Sequence, residues 1–290
     1  MNEELHDHDR GLGFDLGALI ARRRLLTMFA GAGLAVVAAS CGSDSTSSST
    51  STAAKATSAT SGTAAAGTSA ASSATAGATG SNLEAVPEET GGPYPGDGSN
   101  GPNVLSESGI VRSDIRSSFG TSTTTAEGVP ATISLTLVDA NGGAPLPGAA
   151  VYLWHCDAEG RYSLYSQGVT NENYLRGVQE ADSNGVVTFA TVYPACYSGR
   201  WPHVHYEVYP TLADATTASN LLVTSQLALT QDASAAVYAS DLYPQSTQNL
   251  SQVSLATDMV FSDGAELETP TITGSVADGY AIVMTAAIAV

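Results

Sequence analysis

From residue 84 onward, hydrophobic and polar residues alternate in short runs broken by Gly, Pro, Asn and Asp, and no sustained helical period appears. "ATISLTLV" places Ile133, Leu135 and Leu137 on one face of a strand. A turn-rich loop leads to a second strand through Val151 and Leu153, and "DSNG" opens a third, "VVTFATVYP". A fourth strand is "WPHVHYEVYP", and "NLLVTSQLAL", "QVSLATDMVF" and "GYAIVMTAAIAV" read as three more. "ASAAVYASDLY" is the one stretch suited to a short helix. The pattern predicts an all-β, antiparallel sandwich or barrel. "GAPLPGAAVYL" followed by "DSNGVVTF" also occurs in transthyretin-like sandwiches without catalysis, so the fold alone names no activity.

The first 83 residues have a different character. Arg22 to Arg24, an apolar run from Leu25 and the sequence Ala38-Ala39-Ser40-Cys41 resemble a twin-arginine export signal with a lipobox-like end over residues 1–40. Cys41 is then the lipid anchor, or the chain is cleaved nearby and released. Residues 41–83 are nearly all Ser, Thr, Ala and Gly, too polar to bury a core, and read as a disordered tether. Residues 84–290 form the folded domain. The expected location is the outer face of the cell membrane, lipid-anchored, or the medium.

Charge narrows the partners. The chain carries a formal net charge of −18, and beyond residue 84 its only cations are Arg112, Arg116, Arg161, Arg176 and Arg200. Such a body does not neutralise phosphates, which excludes nucleic-acid binding. With Cys41 assigned to the anchor, an exported domain has Cys156 and Cys196 left to pair. That bridge would contribute roughly 4 kcal/mol in the chain-entropy picture.

His203 and His205 lie two apart on a strand and so share a face, as two ligands of one metal ion would. Two plain half-buried histidines, or a zinc-hydrolase pair, are the competing readings. No histidine follows His205, and His155 is tied to its neighbour Cys156, which leaves oxygen donors. Tyr162 closes the turn after Cys156, and Tyr197 lies six residues before His203. A phenol with an ordinary pKa near 10 ionises at neutral pH on a strong Lewis acid such as Fe(III) and seldom on zinc. Trp154 and Trp201 read as packing residues, and Arg176 as a support for its own loop.

"WHCDAEGRY", "NYLRGVQ", "DSNGVVTF" and "YSGRWPHVH", in that order and spacing, resemble the intradiol ring-cleavage dioxygenases, as do "EETGGPYPGDGSNGPNVL" and "VRSDIR" upstream. The resemblance covers residues 84 to 230 and weakens over the C-terminal strands. It implies an intradiol-type β-sandwich with one non-haem Fe(III) per chain on Tyr162, Tyr197, His203 and His205. It further implies Arg200 and Gln226 as catalytic residues beside Tyr197, and Tyr94 and Arg200 at the substrate. The implied reaction opens a small aromatic diol with O2 between its two hydroxylated carbons to give a muconate-type diacid. A homo-oligomer is compatible with this reading. The rival from another class is a metal-free cell-surface binding sandwich.

Overall fold

The computed structural model describes residues 82–290, so the expected signal, Cys41 and most of the tether lie outside the described residues. Among the described residues, eight strands form two four-stranded sheets. One has the order β4-β1-β8-β7, from β4 (Val186–Val192), β1 (Pro130–Asp139), β8 (Gly279–Ile288) and β7 (Thr271–Ser275). The other has the order β3-β2-β5-β6, from β3 (Arg176–Glu180), β2 (Ala150–Trp154), β5 (His203–Tyr209) and β6 (Val223–Ala228). Ile133, Leu135 and Leu137 face inward from the first sheet, and Val151, Leu153, Val204 and Val208 join the same core from the second. The alternation seen in the sequence therefore buries one face of each sheet, as period-two side chains require.

Three expectations are corrected. The strands are not uniformly antiparallel, because β1 pairs with β8 in parallel from Ala131–Tyr280 to Asp139–Ile288. A pairing between elements so far apart in the chain leaves no local trace. "QVSLATDMVF" is not a strand but two 3-10 turns, Leu255–Thr257 and Phe261–Asp263. Ser254 and Thr257 cap the first turn reciprocally, and Asp258 Oδ1 accepts the Val260 and Phe261 amides to start the second. Cys156 and Cys196 are free, buried thiols rather than a disulfide. Each thiol donates to a carbonyl instead, Cys156 to Ala195 and Cys196 to Arg200.

The expected helix is present as α2 (Gln231–Tyr238), between α1 (Leu212–Thr216) and α3 (Ser246–Leu250). Among the described residues no helix is long and apolar enough to cross a membrane.

The second sheet is the unusual one. All seven residues of β5 and all five of β2 are buried, so its outer face is covered as well as its inner one. The cover includes the segment from Glu89 to Gly96: Glu89 N–H donates to Thr224 O, Gln226 Nε2 to Thr90 O, and Tyr152 OH to Pro95 O. Gly92 has φ 68°, and a Cβ there would stand 3.4 Å from His205 Cε1, so this close pass over the imidazole favours glycine.

Candidate metal centre and active site

Strand register lays one row of side chains across the covered face. Arg176 pairs with Trp154, Trp154 with His205, and His205 with Gln226. Trp154 stacks on His205, with ring centroids 5.0 Å apart and planes within 5°. The tryptophan thus packs, as expected, and its packing partner is a candidate ligand.

Two loops bring tyrosines to this row. In the first, Asp157 Oδ1 accepts the Glu159 and Arg161 amides, while Oδ2 accepts Arg161 Nε and Tyr174 OH. That knot turns the chain sharply and aims Tyr162 inward, where it is fully buried. In the second, Arg200 N–H closes a turn onto Tyr197 O, and Asn249 Nδ2 fixes the Cys196 carbonyl. Tyr162 Oη and Tyr197 Oη then stand 3.3 Å and 3.2 Å from the same atom, His203 Nε2. Ring centroids are 4.8 Å apart for His203 and His205, and 6.2 Å for Tyr162 and His205. All four expected ligands therefore meet in one place.

Their chemistry fits a ferric ion. His203 Nδ1 lies 2.6 Å from Trp201 O and donates to it, which leaves the Nε2 lone pair pointing at the two phenols. His205 Nδ1 is buried with no hydrogen-bond partner, an orphaned polar atom beside the cluster. Burial, reinforced by Arg200, holds both imidazoles well below the usual histidine value, so they are neutral donors. Burial first, then Tyr197, pushes the Tyr162 phenol well above 10. Among the described residues no group of three or more His, Cys, Asp or Glu could hold a metal. The set available is two imidazoles and two phenols, which suits a hard, strongly acidic ion better than zinc.

Arg200 and Gln226 stand beside this cluster and touch: Arg200 Nη2 donates to Gln226 Oε1 at 2.8 Å. Arg200 is buried, not a surface cation, and its Nε pairs with buried Asp258 Oδ2 at 3.0 Å. Tyr94 packs on Tyr162 with centroids 4.8 Å apart and on Tyr165 at 5.3 Å. His155 is elsewhere, bonded to Thr191 Oγ1 and the Cys156 carbonyl, and burial lowers it to about 4. Sequence reasoning missed Asp258, whose segment reads as a strand. It also understated Arg176, whose guanidinium binds Ser163 Oγ, Ser163 O, Pro95 O, Tyr152 OH and Tyr94 O. Gly177 follows it because a Cβ there would meet Ile115 Cγ2 at 2.5 Å.

Comparison with known proteins adds likenesses of sequence and fold. Residues 101–218 match a family described as "Dioxygenase". The chain is 26% identical to a solved intradiol ring-cleavage dioxygenase from Tetranychus urticae, covering 71% of this chain and 95% of that one with a TM-score of 0.57. A second solved dioxygenase is 25% identical with the same coverage and TM-score. A curated catechol 1,2-dioxygenase from Pseudomonas sp. (strain EST1001) is 40% identical over 55 residues, and that match spans 18% of its length. In fold the chain is similar to these dioxygenases.

Proposed function

We propose that this chain is an exported non-haem Fe(III) dioxygenase that opens catechol-type rings between the two hydroxylated carbons with O2. The observation that carries the reading is the convergence of Tyr162 and Tyr197 on His203 Nε2, with His205 beside it and the Arg200–Gln226 couple next door. Tyr162, Tyr197, His203 and His205 would hold the iron, one per chain, in an intradiol-type sandwich. Ferric iron, when bound, supplies a Lewis acid that draws electron density from a coordinated diol, so that the ring itself becomes reactive toward O2.

The protein's own groups do the rest. Tyr197 is the one of the four donors whose side chain is only partly buried, so its Oη is placed to take up a proton as a diol arrives. The Glu89–Gly96 cover and the Trp154 face keep water from the imidazoles, which strengthens every polar contact inside. Gln226, fixed by Thr90 O on one side and Arg200 on the other, presents an oriented amide to oxygenated species. Tyr94 lines the approach by packing on Tyr162.

An uncharged catechol is the fitting substrate class. A carboxylated ring needs a cation to receive it, and the two buried arginines are engaged, Arg176 by five acceptors and Arg200 by Asp258 and Gln226. Export, by anchorage at Cys41 or by release, would bring the enzyme to aromatic compounds outside the cell. The test is to load the full chain with ferric iron and record its visible spectrum, then oxygen uptake and product with catechol. A tyrosinate charge-transfer band and one muconate-type diacid per O2 are expected. A colourless, iron-free protein after loading overturns the reading.

A further inference from the structure

We infer that Asp258 is a positioning residue for the site, acting through Arg200 and through the peptide that orients His203. Its two carboxylate oxygens have separate tasks. Oδ1 accepts the Val260 and Phe261 amides at 2.9 and 3.2 Å and so builds its own 3-10 turn. Oδ2 reaches across to a different segment, accepting Arg200 Nε at 3.0 Å and the Trp201 amide at 2.6 Å. Asp258 is fully buried, as is its partner arginine at 2% exposure.

From that one oxygen two lines run into the cluster. Through the guanidinium, Arg200 Nη2 meets Gln226 Oε1, and Gln226 Nε2 meets Thr90 O in the cover. Through the backbone, the Trp201 N–H is pinned while the Trp201 carbonyl accepts from His203 Nδ1, setting that ring and its tautomer. Phe261, in the turn that Asp258 caps, lies 5.9 Å from the guanidinium and backs it from another side. A surface ion pair would be mobile and screened; this one is dry, hydrogen-bonded on both oxygens, and fixes a direction. The C-terminal turns thereby become part of the site's geometry, although none of their residues belongs to the four donors.

Asparagine is the sharp test, because one amide cannot do both tasks. If its oxygen keeps the 3-10 turn, its NH2 faces the Arg200 and Trp201 donors. If it flips, the turn loses its acceptor. The first measurement is side-chain hydrogen exchange by NMR on the full, metal-free chain, with the Arg200 Nε–H assigned by its loss in Arg200→Lys. Wild type is expected to protect both Arg200 and Arg176; Asp258→Asn is expected to expose Arg200 and leave Arg176 protected. The kinetic measurement rests on the proposed dioxygenase reading. Asp258→Asn is expected to lower kcat about 10- to 100-fold with KM for catechol within about threefold. In an Arg200→Gln background the same change is expected to add less than about twofold. Should the amide variant fail to fold, Asp258→Glu serves, since it keeps the charge and shifts it by one methylene, and the same loss of Arg200 protection is expected. Unchanged Arg200 protection in the variant that folds, or full additivity with Arg200→Gln, overturns the inference. Wild-type chain that takes up iron but consumes no oxygen with catechols overturns the proposed activity instead, while the exchange measurement still decides the role of Asp258.

Discussion

Replacing Arg176 with lysine should destabilise the domain by more than a conservative exchange normally does. The guanidinium gives five hydrogen bonds, at 2.9 to 3.0 Å, to Ser163 Oγ, Ser163 O, Pro95 O, Tyr152 OH and Tyr94 O. An ammonium has three donors and no planar fork, so at least two of those acceptors lose their partner. A hydrogen bond to a charged group contributes about 1.5–3 kcal/mol, which puts the loss at about 3–6 kcal/mol. Whole-domain stabilities are about 5–15 kcal/mol, so the change removes a large share. For a domain of this size each kcal/mol moves Tm by about 2–4 °C, giving a fall of roughly 6–24 °C.

The assay is thermal unfolding of the full chain by calorimetry, with amide exchange at Gly96 and Val104, whose backbone bond ties the cover to the next turn. The lost acceptors lie beside Tyr94 and next to Tyr162 in the chain, so iron uptake should weaken along with Tm. A Tm shift under about 3 °C would refute the reasoning, because it would mean that the 94–96 and 163 segments find other donors and are not held by this side chain.

Other outcomes follow from buried titratable groups and thiols. Burial holds His155 down to about 4, so below pH 6.5 the unfolded chain binds a proton that the folded one refuses. Stability is then intact above pH 6.5 and falls toward pH 4 by up to about 3 kcal/mol, and His155→Gln should flatten that slope in chemical denaturation; an unchanged slope would refute the assignment. Glu268 is buried with both carboxylate oxygens unpartnered, and burial, followed by Glu89 and Asp263, raises it to about 9. Its contribution runs the opposite way, present below pH 4.5 and lost as pH rises through 9, so Glu268→Gln should raise Tm at pH 8 and change little at pH 4.5. Burial pushes the Cys196 thiol up to about 12 and Cys156 higher still. Mass-mapped labelling with a maleimide should therefore modify both only after unfolding, and failure to label them in the unfolded, unreduced chain would show that they are bonded to each other.

The chemistry on one strand was legible because period two is local: any β-strand through His203 and His205 puts both on one face. The inward faces of β1 and β5 followed from the same rule. What escaped was everything set by distant pairing. β3 holds Arg176 in a short, glycine-bearing stretch, and only its register against Trp154 shows that this arginine lines the same row as His205 and Gln226. β7 is short and largely exposed, so it carried no apolar run to mark it. Asp258 escaped for a third reason. "QVSLATDMVF" has the composition of a strand, but Ser254, Thr257 and Asp258 bond to the backbone around them and turn it into two 3-10 turns. The cysteine expectation rested on compartment alone, and the geometry gives each thiol a carbonyl instead of a partner.

The scarcity of cations changes meaning once their places are known. Beyond residue 84 the chain has five arginines and no lysine, and a sequence reader looks to them for anion binding. Arg116 pairs with Asp114 at the surface, and Arg161 serves the Asp157 knot that aims Tyr162. Arg112 points its guanidinium at the carbonyls of Ser117, Asn173 and Arg176, lies 4.7 Å from the Phe119 ring centroid, and is lowered to about 10 by burial. Arg176 and Arg200 are spent on the cover and on the Asp258–Gln226 line. Each of the five is a donor that fixes backbone or orients another side chain. Recruiting Arg161, Arg176 or Arg200 to a substrate carboxylate would release contacts that the site depends on, whereas Arg116 is an exposed partner of Asp114. The buried arginines that give the domain its internal order are thus already committed to acceptors within the protein, and this is the physical ground for the neutral diol proposed at the tyrosine–histidine cluster.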